Sequence, residues 1–487
     1  MELRHVHPVR VARTVIPAPV AFGLIAVLLM IRGVAAAQLP LSADEAYYWL
    51  WSQHLAAGYY DHPPMIAWLI RAGTTLFGAT PLGVRFAGVV LSLPATWFVW
   101  RSAVLLLKDE DRAATAALFF NLTLMVSVEM LAATPDMPSL TASAAFLYFL
   151  SRVQARDDRS AWLSAGIAAG LGLLSKFSAL FLGAGALVWL LADRNARKWL
   201  LTPWPYLGAI LALLIFAPNL IWQSQHHWQT FAFQFGRVSG GDFTLFYLCE
   251  FLAAQFGLAT PLMFALMGVG LWFATRWNSD RLLLASLVWT GLGYFLVHSL
   301  HSRVQGNWPA FLYPALAILA VDALGMAQGI GRKVLRYAAP LAAVLLLTIY
   351  VQALYAPLPL AKDPLARILG RHFAPIGDVA AALVKSHLAD AVLTTDYGTT
   401  AWLRFNQPGV KVIQLTDTQR FAHAPAADAK LLQRPLIYLT ELRRDQHQAV
   451  QKHFSYTGFP TQLQTPTSLY MVYPVRQPKS SPLGRMP

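Results

Sequence analysis

Acidic and imidazole side chains are concentrated in one stretch near the N-terminus, residues 42–65, which reads SADEAYYWLWSQHLAAGYYDHPPM. It contains the adjacent acids Asp44 and Glu45, and it contains Asp61 followed directly by His62. Side chains of this kind can take a proton from a hydroxyl nucleophile or bind a divalent cation. Because charges are costly in hydrocarbon and an apolar run precedes this stretch, we expect it to form a loop outside the membrane.

The neighbouring acids Asp44 and Glu45 cannot share one orientation, since adjacent residues diverge by about 100° on a helix. One carboxylate can face a cavity while the other braces the backbone, and both are candidate catalytic residues. A structural alternative is that Ser42 or Asp44 caps an amphipathic helix that ends near Gly58. The candidate substrate-contacting residues of the same loop are Tyr60, Asp61 and His62.

Three cations close to apolar runs could hold a phosphate through charge-assisted hydrogen bonds. They are Lys176 in LSKF, Arg237 in FQFGR and Arg303 in SRVQGNW. The alternative for each is that its long side chain only reaches the lipid headgroups at the membrane surface.

Asp136, in the run ATPDMP, is a further acid near a predicted membrane boundary. Together with Asp44 it offers hard oxygen ligands for a divalent metal cation, Mg²⁺, Mn²⁺ or Zn²⁺. The alternative is an acid that only caps a proline-containing turn. The spacing does not show whether the two acids meet, so both interpretations stay open.

Composition indicates a membrane protein. Of the 487 residues, 56% are hydrophobic and only 13% are charged. A soluble protein could not bury so much apolar surface, so we expect a polytopic α-helical membrane protein. The net charge of +14 comes largely from Lys and Arg in short loops, which follows the positive-inside rule and does not indicate nucleic-acid binding. The single cysteine, Cys249, excludes an intramolecular disulfide.

About eleven apolar runs are candidate membrane spans. They cover residues 15–37, 84–107, 113–131, 139–151, 161–174, 177–192, 204–222, 244–274, 282–300, 308–327 and 338–355. The first is expected to be retained as an anchor instead of being cleaved after Ala37. With the N-terminus in the cytoplasm, the basic loops are cytoplasmic, and the polar loops 37–83, 132–138, 223–243 and 301–308 lie on the opposite face.

The composition changes after Pro357. Short strand-like runs such as AVLTTDYG and VKVIQL then alternate with the helical stretch DVAAALVKSHL. We therefore expect a membrane domain at 1–357 and a small extracytoplasmic α/β domain at 358–487. The tail from Pro474 onward, rich in Pro, Ser and Lys, is expected to be disordered.

Five motifs, in order along the chain, carry a family resemblance: DEAYYWLWSQHLAAGYYDHPPMIAWLI, LAATPDMPSL, GLGLLSKFSAL, IWQSQHHWQTFAFQFGR and SRVQGNWPAFLYP. Together they resemble GT-C-fold glycosyltransferases that use polyprenyl-phosphate sugars. The most similar branch is the bacterial one related to protein O-mannosyltransferases and the lipid A aminoarabinose transferase. The ordered set covers most of residues 40–315 and is specific, although each motif alone would be weak.

The resemblance implies roles for individual residues. In this family an acid early in the first outer loop is the principal catalytic carboxylate, and Asp44 matches it. A second acid in the next outer loop helps to bind a divalent metal or the donor head group, and Asp136 matches it. His62 belongs to a matching HPP element. These roles agree with the chemistry, because the phosphate leaving group needs charge neutralisation and an acceptor hydroxyl needs a base.

The function implied by the resemblance is an inverting glycosyltransferase of the inner membrane. It would move a single sugar from a polyprenyl-phosphate-linked donor to an extracytoplasmic acceptor, with a glycolipid such as lipid A or lipopolysaccharide favoured. Two alternatives remain open, namely the same transfer onto protein hydroxyls and a transporter or flippase for lipid-linked sugars. A non-catalytic membrane scaffold would leave Asp44, Asp136 and Lys176 without a role.

Overall fold

The computed structural model describes residues 15–236, 241–276, 280–326, 329–360, 363–465, 468–479 and 483–487. The first helices are α1 (Ala18–Gln38), α2 (Ala43–Gln53), α3 (Met65–Phe77), α4 (Pro81–Leu107), α5 (Glu110–Leu122), α6 (Leu124–Glu129), α7 (Asp136–Arg156), α8 (Ala161–Ser175) and α9 (Leu180–Ala192). They are followed by α10 (Trp204–Gln225), α11 (Gln229–Gly236), α12 (Phe246–Ala259), α13 (Pro261–Ala274), α14 (Leu282–His298), α15 (Tyr313–Met326), α16 (Ile330–Tyr355), α17 (Pro364–Ile368) and α18 (Ala374–Lys385).

Within the described ranges, five helical segments are long and apolar enough to cross a membrane. They are α1, α4, α10, residues 308–325 and residues 336–355. The bent pair α12 and α13 adds a sixth if it counts as one span. Shorter apolar helices, among them α8, α9 and α14, occupy other predicted runs. The count of eleven spans therefore stays a prediction.

The predicted run 244–274 is not one straight helix, because α12 and α13 meet at an angle of 108°. Thr260, between them, has a φ of +68°, which is rare for a β-branched residue. Pro261 begins α13 and has no backbone N–H to continue the hydrogen-bond ladder of α12. The length and hydropathy of the run do not reveal this break.

The loop after α1 folds into the short helix α2, which begins with a capping box. The Ser42 hydroxyl accepts a hydrogen bond from the Glu45 amide at 3.2 Å, and the Glu45 carboxylate accepts one from the Ser42 amide at 2.9 Å. This reciprocal pair fixes the start of α2 and places Asp44 in its first turn. The helix ends at Gln53, earlier than the predicted end near Gly58.

Small residues let the helices that lead to the loops approach closely. A Cβ on Gly166 of α8 would lie 2.2 Å from the carbonyl oxygen of Gly208 of α10. The two helices can approach this closely only because Gly166 has no side chain, and glycine plays the same role in many pairs of membrane helices. Because α8 leads directly to Lys176, this packing also fixes where that cation lies.

The C-terminal residues form a six-stranded sheet. Its strands are β1 (Ala391–Thr394), β2 (Val412–Gln414), β3 (Leu436–Glu441), β4 (Phe454–Thr457), β5 (Thr461–Gln464) and β6 (Leu469–Pro478), and the accompanying helices are α19 (Tyr397–Asn406), α20 (Ala429–Leu432) and α21 (His447–His453). The strand order is β2-β1-β3-β6-β4, with β5 also paired to β6. Strand β1 is parallel to β2 and β3, whereas β6 is antiparallel to β3. Helix α19 packs against α2 and brings this part of the chain next to Asp44.

The tail after Pro474 is ordered at two places, contrary to the predicted disorder. Strand β6 continues to Pro478 and pairs Val475 with Leu436. Further on, Leu483 is buried, and Arg485 exchanges backbone hydrogen bonds with Gln414 at 2.8 and 2.9 Å. Disorder is predicted because the tail is polar on average, whereas a few of its residues pair with neighbouring strands or pack in the core.

Candidate active site

One cavity of about 460 Å³ brings together side chains from distant parts of the chain, a size typical of small-molecule sites, which span roughly 300–1,000 Å³. Its principal polar lining residues are Asp44, His62, Asp136, Lys176, His298 and Asn307. Its aromatic wall consists of Tyr48, Phe177, Phe181, Phe235, Tyr294, Phe295 and Trp308. The cavity therefore has a few charged groups set against a largely apolar wall.

Asp136 and Lys176 form an ion pair at this cavity. The Lys176 Nζ donates to both carboxylate oxygens of Asp136, at 2.6 and 2.7 Å. The Asn307 side-chain amide donates to the same carboxylate at 2.9 Å. Asp136 begins α7 directly after Pro135, where the helix dipole favours a negative charge. Three segments far apart in the chain thus place one cation and one anion against the aromatic wall.

Asp44 lines the same cavity from the first turn of α2. The hydroxyl of Tyr397 donates a hydrogen bond of 2.8 Å to Asp44 Oδ1. The side chain of Asp44 is exposed to the cavity, but the protein around it removes part of its water and thereby raises its pKa; the Tyr397 hydrogen bond opposes that rise, and the neighbouring charge of Glu45 adds to it. The pKa of Asp44 is therefore above its usual value, which suits a carboxylate that accepts a proton.

Glu45 does not line the cavity, so its placement does not support the predicted catalytic role. Its carboxylate forms an ion pair with the Arg85 guanidinium at 2.6 and 2.7 Å. It also accepts the backbone N–H of Ala133 at 3.0 Å. Burial alone would raise the pKa of Glu45, but the charge and hydrogen bonds of Arg85 outweigh it and hold that pKa below its usual value. Glu45 thus connects α2 to α4 and to the loop before Asp136.

The predicted substrate-contacting residues separate into two groups. His62 lines the cavity, with its ring 6.2 Å from the ring of Tyr48. Asp61 is buried elsewhere, where its carboxylate accepts a hydrogen bond from the Tyr47 hydroxyl at 2.7 Å and forms an ion pair with Arg420. The Tyr60 ring contacts that guanidinium, 5.4 Å from its centre. Asp61 and Tyr60 therefore belong to the contact with the C-terminal part of the chain.

Among the three predicted phosphate-binding cations, Lys176 lines the cavity. Arg303 does not, because its side chain is 70% exposed and forms an ion pair with Glu250. That placement does not support the predicted phosphate contact and fits the alternative of a surface cation. Arg237 lies outside the described residues.

Several cavity or neighbouring residues are missed by reasoning from the sequence. Asn307 lies in the same SRVQGNW motif as Arg303, and Asn307 lines the cavity and contacts Asp136. His298 lies at the end of α14 without a motif of its own. Tyr397 lies in the run TTDYGTT, and its position 353 residues from Asp44 in the chain gave no signal of contact.

The predicted metal ligands Asp44 and Asp136 are engaged in hydrogen bonds with other side chains. In the part of the chain that the structure describes, no three or more His, Cys, Asp or Glu side chains are grouped to hold a metal. Asp136 already accepts hydrogen bonds from Lys176 and Asn307, and Asp44 accepts one from Tyr397. Among the described residues, Asp44 and Asp136 therefore do not form a preassembled metal site. Dependence on a divalent cation stays a prediction.

Comparison with known proteins gives a family and a fold. Residues 61–222 match the family model described as dolichyl-phosphate-mannose-protein mannosyltransferase. The chain is 30% identical to the lipid A galacturonosyltransferase RgtD of Rhizobium johnstonii over 372 residues, which cover 72% of this chain and 74% of the relative. It is 27% identical to the undecaprenyl phosphate-alpha-4-amino-4-deoxy-L-arabinose arabinosyl transferase of Erwinia tasmaniensis, over 56% of this chain and 50% of the relative.

Among solved structures, the crystal structure of ArnT from Cupriavidus metallidurans in the apo state has the same fold. The TM-score is 0.63 at 18% sequence identity, and the match covers 93% of this chain and 98% of ArnT. At this identity the match shows the fold alone. It agrees with the expected GT-C arrangement of helices.

Replacing Glu45 by Gln is expected to lower the free energy of unfolding by about 3–5 kcal/mol, because the buried Arg85 would lose its counter-charge. Thermal unfolding of the purified protein in detergent measures this. The matched control is Glu250→Gln, which breaks the exposed pair with Arg303 and should change the melting temperature little. Equal melting temperatures for the two variants would contradict a stabilising role for the buried pair.

The same pair predicts a pH dependence. Because the pKa of Glu45 is lowered in the folded state, its stabilising effect is present above the usual carboxyl pKa of about 4.3 and is lost as the pH falls through the lower folded value. The melting temperature of the wild-type protein should therefore decline more steeply in this acidic range than that of Glu45→Gln.

Proposed function

The chain belongs to the bacterial branch of GT-C-fold glycosyltransferases that use polyprenyl-phosphate sugars, and we propose that it moves a single sugar from such a carrier to an envelope glycolipid. It is a multi-pass membrane protein and a glycosyltransferase. The observation that carries the proposal is the shared cavity of Asp44, Asp136 and Lys176, three residues from separate loops.

In the proposed reaction Lys176 binds the donor phosphate. Its ammonium group lies at the cavity beside Asp136, which holds it in place when no donor is bound. A phosphate oxygen can share this ammonium group and so gain a charge-assisted hydrogen bond as the carrier leaves. The aromatic wall beside Lys176 supplies apolar surface for the sugar and the first part of the carrier.

Asp44 is the proposed base. It takes the proton of the acceptor hydroxyl while the hydroxyl oxygen bonds to the anomeric carbon and the bond from that carbon to the phosphate oxygen breaks. The polyprenyl phosphate leaves with the electron pair, and attack opposite to it inverts the anomeric configuration. The raised pKa of Asp44 favours acceptance of the proton.

The favoured acceptor is lipid A or another lipopolysaccharide component. The basis is the relative RgtD, whose name specifies lipid A and whose match extends over 72% of this chain. The alternative acceptor, a protein hydroxyl, is suggested by the name of the family model, which covers residues 61–222. The two acceptors differ in where the transferred sugar appears, on glycolipids or on glycopeptides.

We further propose that the enzyme lies in the inner membrane with about eleven spans and with the cavity on the extracytoplasmic face. Residues 358–487 would then form a small extracytoplasmic α/β domain. The support is the distribution of Lys and Arg along the chain. If the predicted spans alternate in direction, most of these residues fall in loops on the side opposite to the cavity-bearing loops.

This orientation predicts which introduced cysteines an impermeant thiol reagent can reach. In a Cys249→Ser background, Phe459→Cys, at a position that is 96% exposed, should be labelled in intact spheroplasts. Arg194→Cys, in a basic loop, should be labelled only after permeabilisation. The reverse pattern would overturn the proposed orientation.

Replacing Asp44 by Asn should reduce sugar transfer by at least about 100-fold, the lower scale of general-base catalysis, with normal expression because Ser42 and Glu45 form the capping box of α2 and Asn is nearly the same size as Asp. Mass spectrometry of glycolipids and glycopeptides, from cells that contain the wild-type or variant gene, measures the product. The matched control is the exposed Asp242→Asn. Near-normal transfer by Asp44→Asn would remove the proposed base, and a sugar lost only from glycopeptides would favour the protein acceptor.

Replacing Lys176 by Ala should weaken use of the lipid-linked donor by roughly 10- to 150-fold, the scale of about 1.5–3 kcal/mol for one hydrogen bond to a charged group. The measurement is kcat/KM against donor concentration with purified enzyme. Arg303→Ala is the control and should stay close to wild type because its side chain is exposed and is not among the residues that line the cavity. The opposite ranking would assign the phosphate to Arg303.

A further inference from the structure

Helix α19 starts next to the cavity and presents its first residue, Tyr397, to α2. Asp396 caps this helix by accepting the Thr399 backbone N–H at 2.9 Å. The same carboxylate oxygen accepts a hydrogen bond of 2.9 Å from Arg444, which follows strand β3. The start of α19 is therefore joined to the segment after β3 by the ion pair of Asp396 and Arg444, which helps to fix the position of Tyr397.

The ring of Tyr397 is also fixed from two sides. Its centroid lies 5.1 Å from that of Tyr47 on α2. The Arg420 guanidinium lies 4.8 Å from the ring centre, and the same guanidinium pairs with Asp61. With the ring held in this way, the hydroxyl has a defined position, 2.8 Å from Asp44 Oδ1.

We propose that Tyr397 is a positioning residue for the reaction, holding one oxygen of Asp44 so that the other oxygen, Oδ2, receives the acceptor proton. This proposal rests on the proposed function of Asp44 as the base. It makes the C-terminal part of the chain a component of the active site, because Tyr397 and its supports Asp396, Arg420 and Arg444 all follow the last membrane helix.

The physical basis is the freedom of a carboxylate. The terminal torsion of Asp has a broad, roughly two-fold preference, so an unheld carboxylate samples many orientations. A hydrogen bond to one oxygen selects one orientation before the acceptor arrives, and such preorganisation increases the rate. The same bond favours the charged carboxylate, which is the form that can act as a base.

The charged and titratable groups around Asp44 come from three directions. Glu45 and Tyr48 lie on α2 itself, and Tyr397, Arg420 and Arg444 come from the C-terminal part of the chain. His62, Asp136 and Lys176 line the shared cavity. Removing the Tyr397 hydroxyl leaves all of these other groups in place, so the effect of one hydrogen bond can be measured.

The test is Tyr397→Phe in the full-length enzyme, with purified lipid-linked donor and acceptor. The variant keeps the ring contacts and loses only the hydroxyl. We expect kcat to fall about 10-fold with the donor KM unchanged. The acidic limb of the pH–rate profile should move to higher pH by about one unit, because a hydrogen bond that favours the charged carboxylate tenfold lowers the pKa of that carboxylate by one unit. The control is Tyr456→Phe, an exposed tyrosine of β4, which should behave as wild type.

A second variant covers the case in which Tyr397→Phe is poorly folded. Incorporation of 3-fluorotyrosine at position 397 keeps the size of the ring and makes the hydroxyl a stronger donor, so the acidic limb should move to lower pH. If neither replacement moves the limb while Asp44→Asn is inactive, the proposal for Tyr397 is wrong and the proposed base stands. An active Asp44→Asn enzyme would instead remove the proposed function itself.

Discussion

The buried ion pair of Glu45 and Arg85 is the interaction on which the arrangement of the site depends. Both side chains are about 2% exposed, and such burial is costly unless every donor and acceptor is satisfied. Here the remaining groups are used, because Arg85 donates to the carbonyls of Leu39 and Pro40 at 2.6 and 2.8 Å, and Glu45 accepts the N–H of Ala133. One ion pair thereby joins the end of α1, the start of α2, α4 and the loop that leads to Asp136.

Because the ion pair with Arg85 fixes the orientation of α2, the adjacent acids Asp44 and Glu45 have different surroundings. Glu45 faces the protein interior, where Arg85 lowers its pKa, and Asp44 lines the cavity, where partial loss of water raises its pKa. The rotation of about 100° between adjacent helix residues directs the Glu45 carboxylate to a structural role and leaves the Asp44 carboxylate able to exchange a proton. In the proposed mechanism the fixed charge of Glu45 also contributes to the raised pKa of Asp44, so the structural acid influences the chemical one.

Much of this arrangement could be predicted from the sequence, and the limits have physical causes. The spacing of Ser42 and Glu45 is that of a capping box, and the apolar runs locate most helices. Within a motif, however, the sequence did not show which of Asp44 and Glu45, or of Arg303 and Asn307, lines the cavity. That choice depends on helix phase and on partners such as Arg85. The contact of Tyr397 with Asp44 depends on tertiary packing over 353 residues, which no local pattern encodes.

The ion pair of Lys176 with Asp136 explains how a positive charge is stable in a largely aromatic cavity before the donor binds. An isolated ammonium group would be strongly disfavoured there, and the carboxylate offsets this cost in the absence of donor. In the proposed mechanism an entering phosphate shares Lys176 with Asp136, and Asn307 keeps a hydrogen bond to that carboxylate while the sharing occurs. The phosphate and the Asp136 carboxylate then compete for the ammonium group of Lys176, and this competition allows the polyprenyl phosphate to be released after transfer. The product is a phosphate monoester with more negative charge than the donor diester, so an unpaired lysine would hold the product more tightly than the donor. Competition from the Asp136 carboxylate weakens that hold.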